Sequence, residues 1–437
     1  MKLISLFQAP KKPQQTTMVS GTFSPQLIPT HKKHPVNQQT NKHTSHFVSP
    51  LVQPQELPED FIPRIKNILS QTSFWPTTTP FIFEMNNDVA ERNTRILQLF
   101  DFDMTKVISA FPNSHISYGF KFRPASILEP LLHNSPHWSD IKNSLSKGAK
   151  FPLERISNAR RKQDNEESIK KGNHKSAQEN LPILKKLVSK EVSVGFQLPI
   201  KVSTIQEIPH AVVQPYSLAK QSTFNEEGNK ETKWRNAHDQ SFRFSSRRSV
   251  NNRVKKEELS DRLYGHALTR IIHYLHNLRR KHPSIRILIA KHDFKSAYRR
   301  LTMWGHTAAS SITIIDGIAY ISLRLTFGGS PSPYLWCPIA ETITDLANDL
   351  LGCKDWDPNE VRSPHSDSLP GVRRLESSTP FKEAKETDVS VSARTEIMVD
   401  DYIDDLVTIT LDSPVHIPRA TQAVPLAIHI LSRPLSQ

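Results

Sequence analysis

The sequence is poor in cysteine, with two, Cys337 and Cys353, in 437 residues. Two thiols supply no disulfide framework and point to a reducing compartment, cytosol or nucleus. Long apolar runs are missing too. Residues 1–9 are too short and too weakly apolar for a signal peptide, and no stretch approaches the ~20 residues that span a bilayer. Glycine is scarce, 13 against 32 prolines, which implies long irregular connections. No internal repeat marks a solenoid or a propeller. The 19 histidines form no pair at metal-ligand spacing joined to a cysteine pair, which argues against zinc. Acidic residues are outnumbered, 43 against 57 Lys plus Arg, for a formal net charge of +14. That excess suits a polyanion, nucleic acid first, although a basic surface without a partner has the same composition.

Residues 1–57 are rich in Pro, Gln, Thr, His and Lys and are expected to form a disordered basic arm. Residues 58–190 form a region of unknown role, partly helical. A helix is expected over 88–102, a short one opening at Pro124, and another over 181–189 with Pro182 in its first turn. Residues 192–208 alternate like strands. The clearest helical period runs over 255–282, through Leu259, Leu263, Ala267, Leu268, Ile271, Ile272, Leu275 and Leu278, and stops at Pro283. A β-branched strand, 285–290, then runs into Asp293. Strands 311–315 and 318–325 flank Asp316-Gly317, the strongest short hairpin signal. A helix with Leu335, Ile339, Ile343, Leu346 and Leu350 inward ends at Gly352, and Pro338 either kinks it or starts it. Residues 353–395 read as an inserted loop. A last helix is expected from about 415, with Pro418 near its start and Pro425 inside it.

Residues 398–409 read as strand, two-residue turn, strand, with Asp404 and Asp405 at the tip. Asp tolerates the positive φ that such turns demand. Adjacent carboxylates repel, so one takes up a proton unless a cation shares the site. Hard oxygen donors without Cys or His favour Mg²⁺ or Mn²⁺. A solvated acidic turn is the plain alternative. Asp400 and Asp401 read as hairpin residues facing solvent or a lysine. A carboxylate at Asp293 could face the hairpin tip from a neighbouring strand. Three carboxylates from two strands can hold two divalent ions, the clamp used for in-line phosphoryl transfer.

The order of these stretches resembles the palm of reverse transcriptases. Asp293-Phe294-Lys295-Ser296-Ala297-Tyr298 resembles the first palm motif, an Asp followed five residues later by an aromatic. Leu325-Thr326-Phe327-Gly328-Gly329-Ser330-Pro331 is similar to the second, and Tyr402-Ile403-Asp404-Asp405 to the Tyr-x-Asp-Asp box. Upstream, Lys233-Trp234-Arg235 with Asp239 resembles the fingers motif. Ser249-Val250-Asn251 brings the pattern closest to retroelements of the tyrosine-recombinase class. The match covers about residues 190–435.

The resemblance implies an α+β fold: an antiparallel palm sheet backed by helices (285–437, with the insertion 353–395), preceded by fingers and a connecting helix (191–284). A thumb is missing from the expected order. The implied activity is that of an RNA-directed DNA polymerase of a retrotransposon. Its partners would be an RNA template, a DNA primer and deoxynucleoside triphosphates, and its cofactor two Mg²⁺ (or Mn²⁺) ions. By the same resemblance Asp293 and Asp404 are the main metal ligands. Asp405 is the third carboxylate, and the Phe294 carbonyl completes one shell. Arg235, assisted by Lys233, contacts the triphosphate. Tyr298 lies under the sugar and excludes a 2′-hydroxyl, and Phe327 and Gly328 line the nucleotide. Two other readings stand beside it. One is a decayed or domesticated copy that binds nucleic acid without polymerising. The other is an RNA-templated RNA polymerase, against which Tyr298 argues.

Overall fold

The computed structural model describes residues 2–4, 57–72, 76–224, 229–246, 248–260, 264–364, 366 and 396–433. Most of the expected arm and most of the expected inserted loop lie outside these residues. A short strand, β1 (Lys2–Ile4), falls where the composition suggested only arm. Eight helices follow: α1 (Phe61–Ser70), α2 (Asn87–Gln98), α3 (Met104–Ala110), α4 (Ala125–Leu132), α5 (Trp138–Lys147), α6 (Asn158–Lys171), α7 (Lys175–Glu179) and α8 (Leu181–Ser193). Their starts are chemically marked. The Asn86 side chain accepts from Val89 N, Asp103 from Thr105 N and Lys106 N, and Ser157 from Arg160 N. Each satisfies an N–H that the first helical turn leaves without a partner.

Next come β2 (Gln197–Lys201), β3 (Tyr216–Phe224), β4 (Lys230–His238), α9 (Ala267–Lys281) and β5 (Ile287–Asp293). They are followed by α10 (Gly305–Ala309), β6 (Ile312–Ile315), β7 (Ile318–Ser322) and α11 (Ser332–Gly352). Last are β8 (Ile397–Tyr402), β9 (Asp405–Leu411) and α12 (His416–Leu431). The strands form three antiparallel sheets in the orders β1-β5-β9-β8, β2-β7-β6 and β3-β4. Mixed helix and antiparallel sheet is therefore the architecture.

The Asp316-Gly317 hairpin forms as expected, with φ of 50° and 75°, the pair of positive values that a type I′ turn needs. α11 starts at Ser332, so Pro338 lies inside it and does not open it. The long helix expected over 255–282 is shorter. Lys256–Glu258 and Tyr264–His266 are single 3₁₀ turns, and only Ala267–Lys281 is α-helical. Leu259 lies outside the helix and Leu263 outside the described residues. Leu268 and Ile272 are exposed rather than inward. Residues 192–208 give one strand, β2, and a 3₁₀ turn, while Val192 and Ser193 belong to α8.

One large core joins the N-terminal helices to the C-terminal half. Ile65, Leu97, Val107 and Leu128 pack in the same cluster as Trp336, Ile343 and Ala427. α11 lies on α12 and on β8, and α9 covers β8 and β5. The sheet β5-β9-β8 is thus covered on both faces, by α11 and α12 on the side of Val399 and Leu406 and by α9 on the side of Met398 and Ile409, and the end where β5 meets the β8–β9 turn carries polar groups.

Candidate active site

Pairing of β5 with β9 places Asp293 opposite Asp405, the last residue of one strand against the first of the other. Asp404 precedes it in the β8–β9 turn. The turn is Ile403-Asp404 rather than Asp404-Asp405, because Tyr402 pairs with Asp405. The positive φ, 63°, falls on Ile403 and not on an aspartate. A β-branched residue pays about 1–2 kcal/mol to sit there. The tie that holds it is visible: Trp336 Nε1 donates to the Ile403 carbonyl at 2.7 Å. Phe294 N donates to the Asp404 carbonyl at 2.8 Å, so the turn is pinned to α11 on one side and to the end of β5 on the other. The Phe294 and Trp336 rings meet edge-on at 5.0 Å beneath it.

Three carboxylates therefore share one sheet end. Burial, then Asp405, then Asp293, push the Asp404 carboxyl above its ordinary range, and Lys291 opposes the shift. Lys291 Nζ lies 2.7 Å from Asp405 Oδ2. Lys291 escaped the sequence reading, although strand alternation puts it on the same face as Asp293, two residues on. Among the described residues no three His, Cys, Asp or Glu side chains converge closely enough to hold a metal ion as they stand. The Phe294 carbonyl already accepts from Ala297 N at 3.1 Å and keeps its second lone pair.

A second group assembles around Tyr298, which lies in a 3₁₀ turn five residues past Asp293. Its ring is half-buried, 5.4 Å from that of Phe327. Gly328 has φ 116°, and a Cβ there would run into the His238 carbonyl. His238 N in turn donates to the Phe327 carbonyl at 3.0 Å. Asn251 adds a clasp, donating Nδ2 to the Gly328 carbonyl and accepting from Ser330 N, both at 2.8 Å. The glycine-rich stretch is thus laced to the end of β4. Lys233 and Arg235 stand exposed on that strand and reach the second group through His238, with no direct contact to the carboxylates. His238 is fully buried and held neutral by burial and by Arg299, and it does not pair with Asp239. Asp239 Oδ2 instead meets His174 Nε2 at 2.8 Å.

Asp400 and Asp401 do not face solvent. Both are buried, at 4% and 1% exposure, and as neighbours on β8 they point to opposite faces, Asp400 toward α9 and Asp401 toward α11. Arg270 of α9 donates Nε to Asp400 Oδ2 at 2.8 Å and Nη2 to Asp400 Oδ1 at 2.5 Å. Thr344 donates to Asp401 Oδ1 at 3.1 Å. Burial and the Asp400 charge raise Asp401 to about 7. Burial and Asp401 raise Glu341 to about 8, and burial and Asp349 raise Asp345 to about 7. The sequence signal for this layer was a carboxylate every fourth residue along the inner side of α11: Glu341, Asp345, Asp349.

No family model and no curated protein matches the chain. Among solved structures it is similar to the foamy viral protease-reverse transcriptase dRH in complex with ds DNA. Identity is 12% and TM-score 0.32, over 86% of this chain and 43% of that one. It is similar also to the foamy viral protease-reverse transcriptase in complex with RNA/DNA hybrid, at 13% identity and TM-score 0.32, over 87% of this chain and 33% of that one. The native Prototype Foamy Virus Protease-Reverse Transcriptase gives 12% and 0.33, over 87% and 33%. The chain spans less than half the length of these structures. Among the described residues no helix is long and apolar enough to cross a membrane.

Proposed function

We propose that the chain is the palm and fingers of an RNA-directed DNA polymerase of retrotransposon type, extending a DNA primer with deoxynucleoside triphosphates on an RNA template. One observation carries the reading. The β5–β9 register and the Phe294 N to Asp404 O bond bring the Asp-Phe-Lys-Ser-Ala-Tyr stretch and the Tyr-Ile-Asp-Asp stretch to the same sheet end. The two stretches lie more than a hundred residues apart.

Asp293 and Asp404, with the Phe294 carbonyl, are the donors for two Mg²⁺ or Mn²⁺ ions, and Asp405 is the outer carboxylate. The donor chemistry fits: crowding holds the Asp404 carboxyl up, and a cation would relieve it. When bound, such ions neutralise charge on the attacking and leaving oxygens of phosphoryl transfer. The protein's part is placement. Arg235, a planar donor fork, and Lys233 neutralise the triphosphate from the β3–β4 hairpin. Tyr298, braced on Phe327, closes the space beside the sugar C2′ and so favours deoxynucleotides. Gly328 lets the backbone approach the nucleotide.

Primer extension on an RNA template, with dNTPs and then NTPs, tests the reading. Extension with dNTPs that Asp293→Asn removes is expected. Extension equally fast with NTPs would make the chain an RNA polymerase instead. A second reading is favoured by the Lys291–Asp405 pair. A carboxylate already neutralised by lysine suits a descendant that binds nucleic acid without polymerising, and metal-independent binding with no extension would establish it.

A further inference from the structure

This chain meets a buried or half-buried guanidinium either with a carboxylate, as at Arg299 and Arg270, or with backbone carbonyls, as at Arg419. Arg299 Nη2 lies 2.8 Å from Glu191 Oε2, and Arg270 grips Asp400. A different arrangement stands behind Phe294. The strand-like contact of residues 119–123 with the end of α12, including Arg433 N to Lys121 O at 3.1 Å, brings Lys121 beside Arg433. Both cations lie over the ring of Phe120, at 5.4 and 4.7 Å. The Arg300 guanidinium lies over the ring of Phe294, 5.3 Å away. Arg324, 1% exposed, completes the group from beneath. It donates to the carbonyls of Arg300 and His115 and to the Thr302 hydroxyl, and its Nε has no partner.

Among the described residues no carboxylate lies within ion-pair distance of Lys121, Arg300 or Arg324. Carbonyls and rings are what surround them. Lys121 is driven down to about 8 by burial and then by Arg324, Arg300 and Arg433, all repulsive. Arg324 is driven down to about 9 by burial and by Arg300. Like charges gathered in a half-dry place cost stability unless an anion shares them. Lys121, Arg300 and Arg433 are each part-exposed, so an anion can reach them from solvent.

We propose that Lys121, Arg300 and Arg433, backed by Arg324, form an anion site that takes a phosphodiester group of a nucleic-acid strand passing beside Asp293 and Asp404. The ligand class follows from chemistry: several converging cationic donors fit phosphate oxygens, and neighbouring aromatic rings suit a sugar or base edge. Which strand it holds rests on the polymerase reading; that it holds one does not.

The test is fluorescence anisotropy of a labelled primer–template duplex against the full chain, between 50 and 200 mM salt. Lys121→Gln and Arg433→Gln are compared with Lys185→Gln, which removes the same charge from an exposed pair with Asp316. Lys121→Gln and Arg433→Gln should each weaken binding by about tenfold across all sequences and flatten the salt slope by about 0.9. Lys185→Gln should change affinity less than twofold. Thermal melting of Lys121→Gln should stay level or rise, since repulsion from Arg324 and Arg300 is relieved, and the two variants act independently should one fail to fold. Unchanged affinity and slope in both overturn the site. Pyrophosphate binding that depends on Lys121 and Arg433, with strand affinity unchanged, overturns the strand assignment. No nucleotide transfer is needed, so failed extension with intact, cluster-dependent binding sinks the polymerase reading alone.

Discussion

Replacing Arg270 by Met should cost about 3–5 kcal/mol, and more at pH 8 than at pH 5. The guanidinium makes two hydrogen bonds to Asp400, with side-chain exposures of 16% and 5%. Removing one partner of a buried pair leaves the other charge uncompensated, which is where that magnitude comes from. The pH dependence comes from the neighbours. Glu341, Asp345 and Asp401 sit at about 8, 7 and 7, raised by burial first and then by the carboxylates of Asp401, Asp349 and Asp400 respectively, and Arg270 is the cation that restrains all three. Their folded values lie above their unfolded ones. They therefore favour the fold below about pH 4, and that contribution is lost as pH rises through 7 and 8. At pH 5 the three are protonated and only Asp400 is left exposed to the loss of Arg270. At pH 8 they begin to ionise against each other without a counter-charge. Each tenfold change in proton affinity is worth about 1.4 kcal/mol, so a gap of about 1–3 kcal/mol between the two pH values is expected. Urea unfolding at pH 5, 6.5 and 8, with constant m, reads it. A loss that is the same at pH 5 and pH 8, or below about 1 kcal/mol throughout, would refute the reasoning. Arg270→Met with Asp400→Leu should recover most of the stability.

Asp293→Asn and Asp404→Asn should each abolish primer extension while leaving the melting temperature close to wild type, with Asp405→Asn milder; wild-type extension by Asp293→Asn would sink the assignment. Tyr298→Ala should raise ribonucleotide over deoxynucleotide incorporation by roughly tenfold or more, and an unchanged ratio would make Tyr298 a packing residue for Phe327. Gly328→Ala should destabilise by about 2–4 kcal/mol, combining a disfavoured φ with a collision at the His238 carbonyl. Gly352→Ala, whose Cβ meets nothing within 4 Å, should be neutral or slightly stabilising in the same denaturation assay.

Local patterns were readable where the decisive partner was near in sequence. Asp316-Gly317, the apolar side of α11 and the strand leading to Asp293 needed only neighbouring residues. The candidate site was readable as an order of motifs, of which the structure brings Asp293 and the Asp404-Asp405 pair to one sheet end. What escaped was set by distant partners. Asp400 and Asp401 look like surface acids until Arg270, 130 residues earlier, and Thr344 are in place. β2 pairs with β7 across more than a hundred residues, Gln197 against Ser322, so the alternation over 192–208 pointed to strand but not to its bounds or its partner. The turn at Ile403 was misplaced because turn propensity favours Asp, whereas the bond from Trp336 decides. The period over 255–282 was too long because Leu259 and Leu268 continue the spacing without continuing the buried side.

The meeting of Asp293 with Asp405 also bears on how this sheet end could have diverged. It closes a chain loop of more than a hundred residues, most of it spent between Phe294 and the start of β8. Closure entropy grows only as the logarithm of length, about 0.6 kcal/mol for each doubling. The connection from Cys353 to Glu396 can therefore lengthen or shorten by tens of residues at a cost smaller than one lost methyl in the core. The two strands record nothing of such changes, because their register is set by the bonds between them. A carboxylate site built this way tolerates drift in spacing between its motifs far better than drift within them.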